Sequence, residues 1–340
     1  MLGGNANAST NVPSALIQTT TVRADGSLNP WSNYGGMTTW RLGAGVHVLN
    51  DKIWHVGGSN NTAATPLAST EYFTVLPDGS LGPSTVGPSL NTPRYKPESF
   101  VVSAGGNRYL YVVGGYNVSV YLNSVERAVI NADGTLGPFV LQASTTVHAR
   151  GWTAGAVIGR YFYLFGGQPS KASVERAAIN PDGSLGGFQL LGMTLPDAIG
   201  DHRAIVIGNH VHLLGAHNGT APLSAVYSAP IYPDGTLGAF AAGPPLIAAM
   251  ADVAPVQIGN YLYTFGGWGG GSTFYNIVQR AFIEPGGALG AWQAYKSDRY
   301  VLPFSVAYVL GVPVYQDSIY FFSGYNGSGP VQAIAQGTVH

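Results

Sequence analysis

Four arginines, Arg41, Arg94, Arg150 and Arg299, stand just ahead of apolar runs. An arginine fork pairs with carboxylate, sulfate or phosphate through two parallel hydrogen bonds. Gathered at one opening, such forks would take an acidic sugar or an acidic peptide loop. The competing reading is structural, with each fork bonded to loop carbonyls or to a neighbouring element. The binding reading predicts that replacing all four by alanine abolishes acidic-ligand binding and leaves the melting temperature nearly unchanged. Arg203 lies close to the same place but deeper in its run, and Asp201, Asp252 and Asp298 lie near the starts of such runs, where they would join the arginines. A cation and a carboxylate converging on one sugar ring would support acid–base chemistry.

A second set is aromatic. Tyr116, His217, Trp268 and Tyr325 each follow a pair of small residues, and three precede Asn-x-Ser/Thr triplets at Asn117, Asn218 and Asn326. Exposed rings stack on sugars and offer a polar edge. Alternatively these are packed turns in which asparagine accepts positive φ. His210 and His212 share one face of a strand, as metal ligands would. Equivalent positions hold Tyr109 and Tyr111, Tyr161 and Tyr163, and Tyr261 and Tyr263, so packing is the better reading. Glu126-Arg127 and Glu175-Arg176 recur at equal phase and read as cross-strand or inter-blade pairs.

The elements that position these residues are repeats. Asp-Gly-[Ser/Thr]-Leu recurs from Asp25, Asp78, Asp133, Asp182 and Asp234, with a degenerate copy at Gly286-Gly287-Ala288-Leu289. The spacings are 53, 55, 49, 52 and 52 residues. An apolar run ending in two small residues repeats in phase, at Gly57-Gly58, Gly114-Gly115, Gly166-Gly167 and Gly266-Gly267. Weaker copies end at Gly215-Ala216 and Ser323-Gly324. Each unit holds four short β runs, for example Trp152–Ile158, Arg160–Phe165, Ala172–Ile179 and Gly187–Leu191. Asp-Gly between β runs is a hairpin signal, because glycine takes φ > 0 without a Cβ clash. Runs such as Tyr161–Phe165 are apolar on both faces, so sheets must cover both sides. A closed ring of four-stranded sheets does this and hides long edges.

The unit resembles a Kelch repeat: an apolar strand ending in Gly-Gly, a loop, a hairpin, and an arginine before the next inner strand. The aromatic expected after the hairpin is Trp31, Phe139, Phe188, Phe240 and Trp292, with Ser84 as the exception. The resemblance implies an all-β Kelch-type β-propeller. Residues 29–340 span six units of 52, giving six four-stranded blades, with seven as the alternative. Residues 1–28 read as an N-terminal extension or partial repeat that contributes to ring closure.

Composition narrows the function. The chain has 340 residues, 15 basic and 16 acidic, and only 9% are charged while 46% are hydrophobic. The near-zero net charge gives no reason to expect nucleic acid or an anionic membrane as a partner. Val301–Val314 is too short and broken to cross a bilayer, and the N-terminus shows no signal peptide. Absence of cysteine removes disulfides, thiolate nucleophiles and cysteine-ligated metals. No motif calls for a cofactor.

The leading expectation is a non-catalytic recognition propeller outside cells or on a virion surface, such as a bacteriophage tail or fibre. It would bind a glycan or protein through loops on one face, using Arg41, Arg94, Arg150, Arg299, Tyr116, His217, Trp268 and Tyr325. Two alternatives remain. One is a structural propeller that assembles with other subunits of a larger particle. The other is a cofactor-free enzyme on acidic sugars, because sialic-acid mutarotases share the Kelch-type propeller.

Overall fold

The computed structural model describes residues 17–19, 32–34, 37–39, 41–60, 65–169, 172–295, 312–315, 318–325 and 330–338. Strands dominate because β-branched and aromatic residues alternate with turn residues throughout. Among the described residues five four-stranded antiparallel sheets form, each a meander from inner to outer edge, with a short two-stranded hairpin inserted between the second and third strands of two of them. Their inner strands are Gly45–Leu49, Glu98–Ala104, Ala154–Ile158, Arg203–Ile207 and Ala254–Ile258. Blades one to five take their order from these strands. Neighbouring inner strands lie against one another, so together they surround the central channel of a β-propeller.

The expectation of six or seven four-stranded blades is corrected by this arrangement, in which five are four-stranded among the described residues. A three-stranded sheet, Val314–Tyr315, Ser318–Tyr325 and Pro330–Thr338, stands between blades five and one. Its Ile319 shares a core with Val256 and Phe265 of blade five, and its Tyr320 shares one with Ile53 and Phe73 of blade one. Ile17–Thr19 pairs with Ser32–Tyr34. Most of the segment 1–28, Trp31 and the Asp25-Gly26 hairpin lie outside the described residues.

The Asp-Gly hairpins join the blades. Asp78, Asp133, Asp182 and Asp234 each accept two hydrogen bonds from the Ser or Thr two residues on, at 2.6–3.0 Å. This turn chemistry fixes the following glycine at positive φ. The glycine carbonyl then receives a donor from the preceding blade. Trp54 Nε1 donates to Gly134 O, Tyr111 Oη to Gly183 O, Tyr163 Oη to Gly235 O, and His212 Nε2 to Gly287 O, at 2.6–2.9 Å. A Cβ at Gly134 would sit 2.3 Å from Leu49 O, so a side chain there would push the blades apart. Tyr320 Oη donates to Gly79 O at 2.9 Å and makes the same seam between the three-stranded sheet and blade one.

That seam is testable. One hydrogen bond of this kind contributes about 1 kcal/mol. Tyr320→Phe and Tyr163→Phe should therefore lower the unfolding free energy by similar amounts in urea titrations. A silent Tyr320→Phe beside a costly Tyr163→Phe would mean that the closing seam is not formed in solution.

Candidate functional site at the pore mouth

Just before each inner strand the chain reaches the pore in a left-handed conformation. The residues are Gly43, Lys96, Trp152, Asp201 and Asp252, with φ between 46° and 56°. Glycine tolerates this region. For a bulky residue such as Trp152 it is an outlier that the surroundings must hold in place. A belt of backbone hydrogen bonds does so. Lys96 N donates to Gly43 O, Trp152 N to Lys96 O, Asp201 N to Trp152 O, and Asp252 N to Asp201 O, at 2.9–3.4 Å. The belt points four side chains from different blades at one opening.

Their charges meet there. Lys96 Nζ donates to Asp252 Oδ2 at 2.8 Å, to Asp252 Oδ1 at 3.0 Å, and to Asp201 Oδ1. Arg203 Nη2 donates to Asp252 Oδ1 at 3.2 Å, and its Nη1 donates to His202 O at 2.8 Å. Burial raises the pKa of the Asp201 carboxyl, and the Lys96 ammonium pulls it back. Tyr95, buried beneath, has its phenol raised by burial and by the Asp252 and Asp201 charges.

Two residues along, Gly45, Glu98, Ala154, Arg203 and Ala254 hold equivalent register, each paired with the residue before a small-residue pair. A small, partly open cavity lies at this level, lined by His47, Lys96, Glu98, Ser99, Trp152 and Arg203 among others. Glycines leave the room: a Cβ at Gly155 would lie 2.9 Å from Glu98 Cγ, and one at Gly45 would lie 2.2 Å from Ser99 Oγ. Burial pushes the Glu98 carboxyl up to about 8, although Arg203 and backbone donors oppose it. Burial also pushes the His47 imidazole down to about 4, and His47 Nε2 lies 2.8 Å from Ser99 Oγ. At neutral pH the cavity therefore holds a protonated acid and a neutral base. Such opposed shifts mark acid–base sites.

The expected arginine mouth is corrected. Arg41, Arg94 and Arg150 are at most 2% exposed and turn back into their own blades. Their forks bond Gly57 O and Ser69 O, Gly114 O and Ser124 O, and Gly166 O and Ser173 Oγ. Each also pairs with a buried third-strand carboxylate, Glu71, Glu126 or Glu175. Arg299 and Asp298 lie outside the described residues. Asp201 and Asp252 do reach the mouth, with Arg203 beside them.

The aromatic set divides. Tyr116 packs with Tyr121 and Trp152, at ring centroid distances of 5.3 and 5.4 Å. His217 stacks on Trp268 at 5.2 Å. Tyr325 ends the strand Ser318–Tyr325, and its side chain lies outside the description. His212 has both ring nitrogens bonded, to Ser228 Oγ and Gly287 O, so it fills a packing slot as expected. Glu126 and Glu175 hold the buried arginines, while Arg127 and Arg176 lie over Tyr109 and Tyr161 on the neighbouring strand.

Sequence reasoning passed over Lys96, Glu98 and Trp152. The available signal was phase: two residues after each entry arginine comes the residue that faces the pore.

Fold and mouth together define a β-propeller with a charged, partly enclosed opening on the loop face. No family model and no curated protein matches the chain. The solved structure of YjhT is similar to it, with a TM-score of 0.68 at 13% identity, covering 88% of this chain and 95% of that one. At that identity the likeness shows the fold.

Proposed function

We propose that the pore mouth is the active site of a cofactor-free enzyme that opens and recloses the ring of a reducing sugar, acidic sugars of the sialate type included. The carrying observation is the single cavity shared by Glu98, shifted up to about 8, and His47, shifted down to about 4. In this reading the Glu98 carboxyl protonates the ring oxygen while His47 takes the anomeric hydroxyl proton. The ring C–O bond breaks, an open-chain carbonyl forms, and reclosure on its other face gives the second anomer. Lys96 and Arg203 orient the sugar's oxygens, and Trp152 walls the cavity. Two cations balance Asp201 and Asp252, so the mouth suits a polyol or a sugar with a single carboxylate rather than a polyanion.

Anomer exchange followed by NMR on sialic acid, glucose and galactose tests the proposal. Acceleration of at least one sugar, lost in His47→Ala, is the expected result. No acceleration of any of them by intact protein would refute it.

A second reading is recognition without catalysis, at a virion or cell surface. It is favoured by the two half-buried aromatic stacks, Tyr116–Tyr121–Trp152 and His217–Trp268, on the loop face. Retention on a glycan array with no anomer exchange would select it. In either reading we place the site on a Kelch-type ring, closed between blades five and one by the three-stranded sheet, with the pair Ile17–Thr19 and Ser32–Tyr34 beside Pro330–Thr338.

A further inference from the structure

The two-residue loop of the hairpin Tyr116–Tyr121 needs positive φ at its first residue, and a valine stands there. Its tip residue, Val118, has φ 54°, a region that a β-branched side chain avoids. Asparagine or glycine is the ordinary choice there, and Asn117 is one residue away. Val118 is nevertheless 61% exposed and Val120 is 52% exposed, so neither is held by a core.

The hairpin is built to keep its shape. Tyr116 pairs with Tyr121 and Asn117 with Val120 across the two strands, and Tyr116 Oη donates to Val118 O at 2.7 Å. Behind the tip, Tyr116 and Tyr121 rest on Trp152 at 5.4 and 5.5 Å, and Tyr95 meets Trp152 edge-on at 5.8 Å. Trp152 is the left-handed belt residue that walls the cavity shared by Lys96 and Glu98. Tyr121 stands near enough to Asp201 to feel its charge. A stiff, apolar finger thus rises from the rim of a polar opening. Strain kept at an exposed position points to a contact made there.

We infer that this finger is a specificity element of the pore-mouth site, with Val118 and Val120 contacting an apolar substituent that a sugar carries away from its anomeric carbon. The inference rests on the sugar reading of the mouth. It adds that the ligand is amphipathic, with hydroxyls against Lys96, Asp201 and Arg203 and its apolar arm along the finger. A rigid finger loses little entropy on binding, so its contacts appear as affinity.

The test compares 6-O-octanoyl-D-glucose with D-glucose, both below the ester's self-association concentration, by calorimetric titration of the intact protein. Wild type should bind the ester at least about tenfold more tightly, as burial of a few methylenes implies. Val118→Asn with Val120→Thr should bring the ester down to the level of glucose. The melting temperature should hold or rise, because asparagine relieves the left-handed strain. Equal binding of both sugars by wild type, or an unchanged preference in the variant, would overturn the finger. Because binding is read directly, a preference without anomer exchange would keep the finger and reject the enzyme. Anomer exchange without a preference would do the reverse.

Discussion

Arg94→Ala should lower the unfolding free energy by about 3–5 kcal/mol, the usual cost of stranding one partner of a buried ion pair. The Arg94 fork donates to Gly114 O at 2.7 Å, Ser124 Oγ at 3.0 Å and Glu126 Oε1 at 2.7 Å. Glu126 in turn accepts from Asn91 N, Asn91 Nδ2 and Thr92 N at 2.7–3.1 Å. Both side chains are fully buried. Removing the guanidinium leaves a carboxylate without its cation and takes the arginine donor from Gly114 O, while Ser124 O keeps only its bond from Gly114 N. Arg94→Lys should recover only part of the loss, because one ammonium cannot reproduce a planar fork. The paired change Arg94→Met with Glu126→Leu should be milder than Arg94→Ala, since it strands no charge. Equilibrium denaturation in guanidinium chloride measures all three. An Arg94→Ala protein within about 1 kcal/mol of wild type would mean that the arginine does not hold the blade, and its role as a ligand contact would have to be reconsidered.

The same residue shows how far the sequence could be read. The ring was legible because its signals are local: Asp-Gly turns fix hairpins, two-faced apolar runs demand covered sheets, and both recur in phase. Pore-facing chemistry was less legible because it depends on register within a few residues. Arg94 and Lys96 are neighbours along the chain, yet one turns into the blade and the other into the channel. Motif matching finds the arginine, since it repeats in type. The pore positions Gly43, Lys96, Trp152, Asp201 and Asp252 repeat in backbone conformation and not in residue type. Asp201 and Asp252 were within reach because acids near an inner-strand entrance are conspicuous in a chain with so few charges. Glu98 was not, because only the fold shows that it lines the cavity at the pore mouth. His212 was read correctly for the opposite reason: aromatic residues at the same phase in other blades already described its slot. The blade count erred where the chain closes, since equal repeat lengths do not specify which strands pair at the seam.

Glu98→Gln should reduce the anomer-exchange turnover by at least about a hundredfold, the low end of what a positioned acid contributes, while leaving KM near wild type. Glutamine keeps the shape and the polar contacts but cannot release a proton. The pH dependence adds an independent arm. In wild type the acid is protonated below about 8 and the imidazole is neutral above about 4. The rate should be flat between those limits and fall on both sides. The variant's residual rate should lose the alkaline limb and keep the acidic one. Stability should move with it. A carboxyl raised on folding contributes stability that is complete below its unfolded value and lost as pH rises through about 8. Glu98→Gln should therefore melt at the wild-type temperature or below near pH 4, and above it near pH 9. A variant with full turnover would remove Glu98 from the chemistry. If the stability crossover still appeared, Glu98 would remain an acid with a raised pKa at the pore, and the proton donor would have to be sought elsewhere on the same wall.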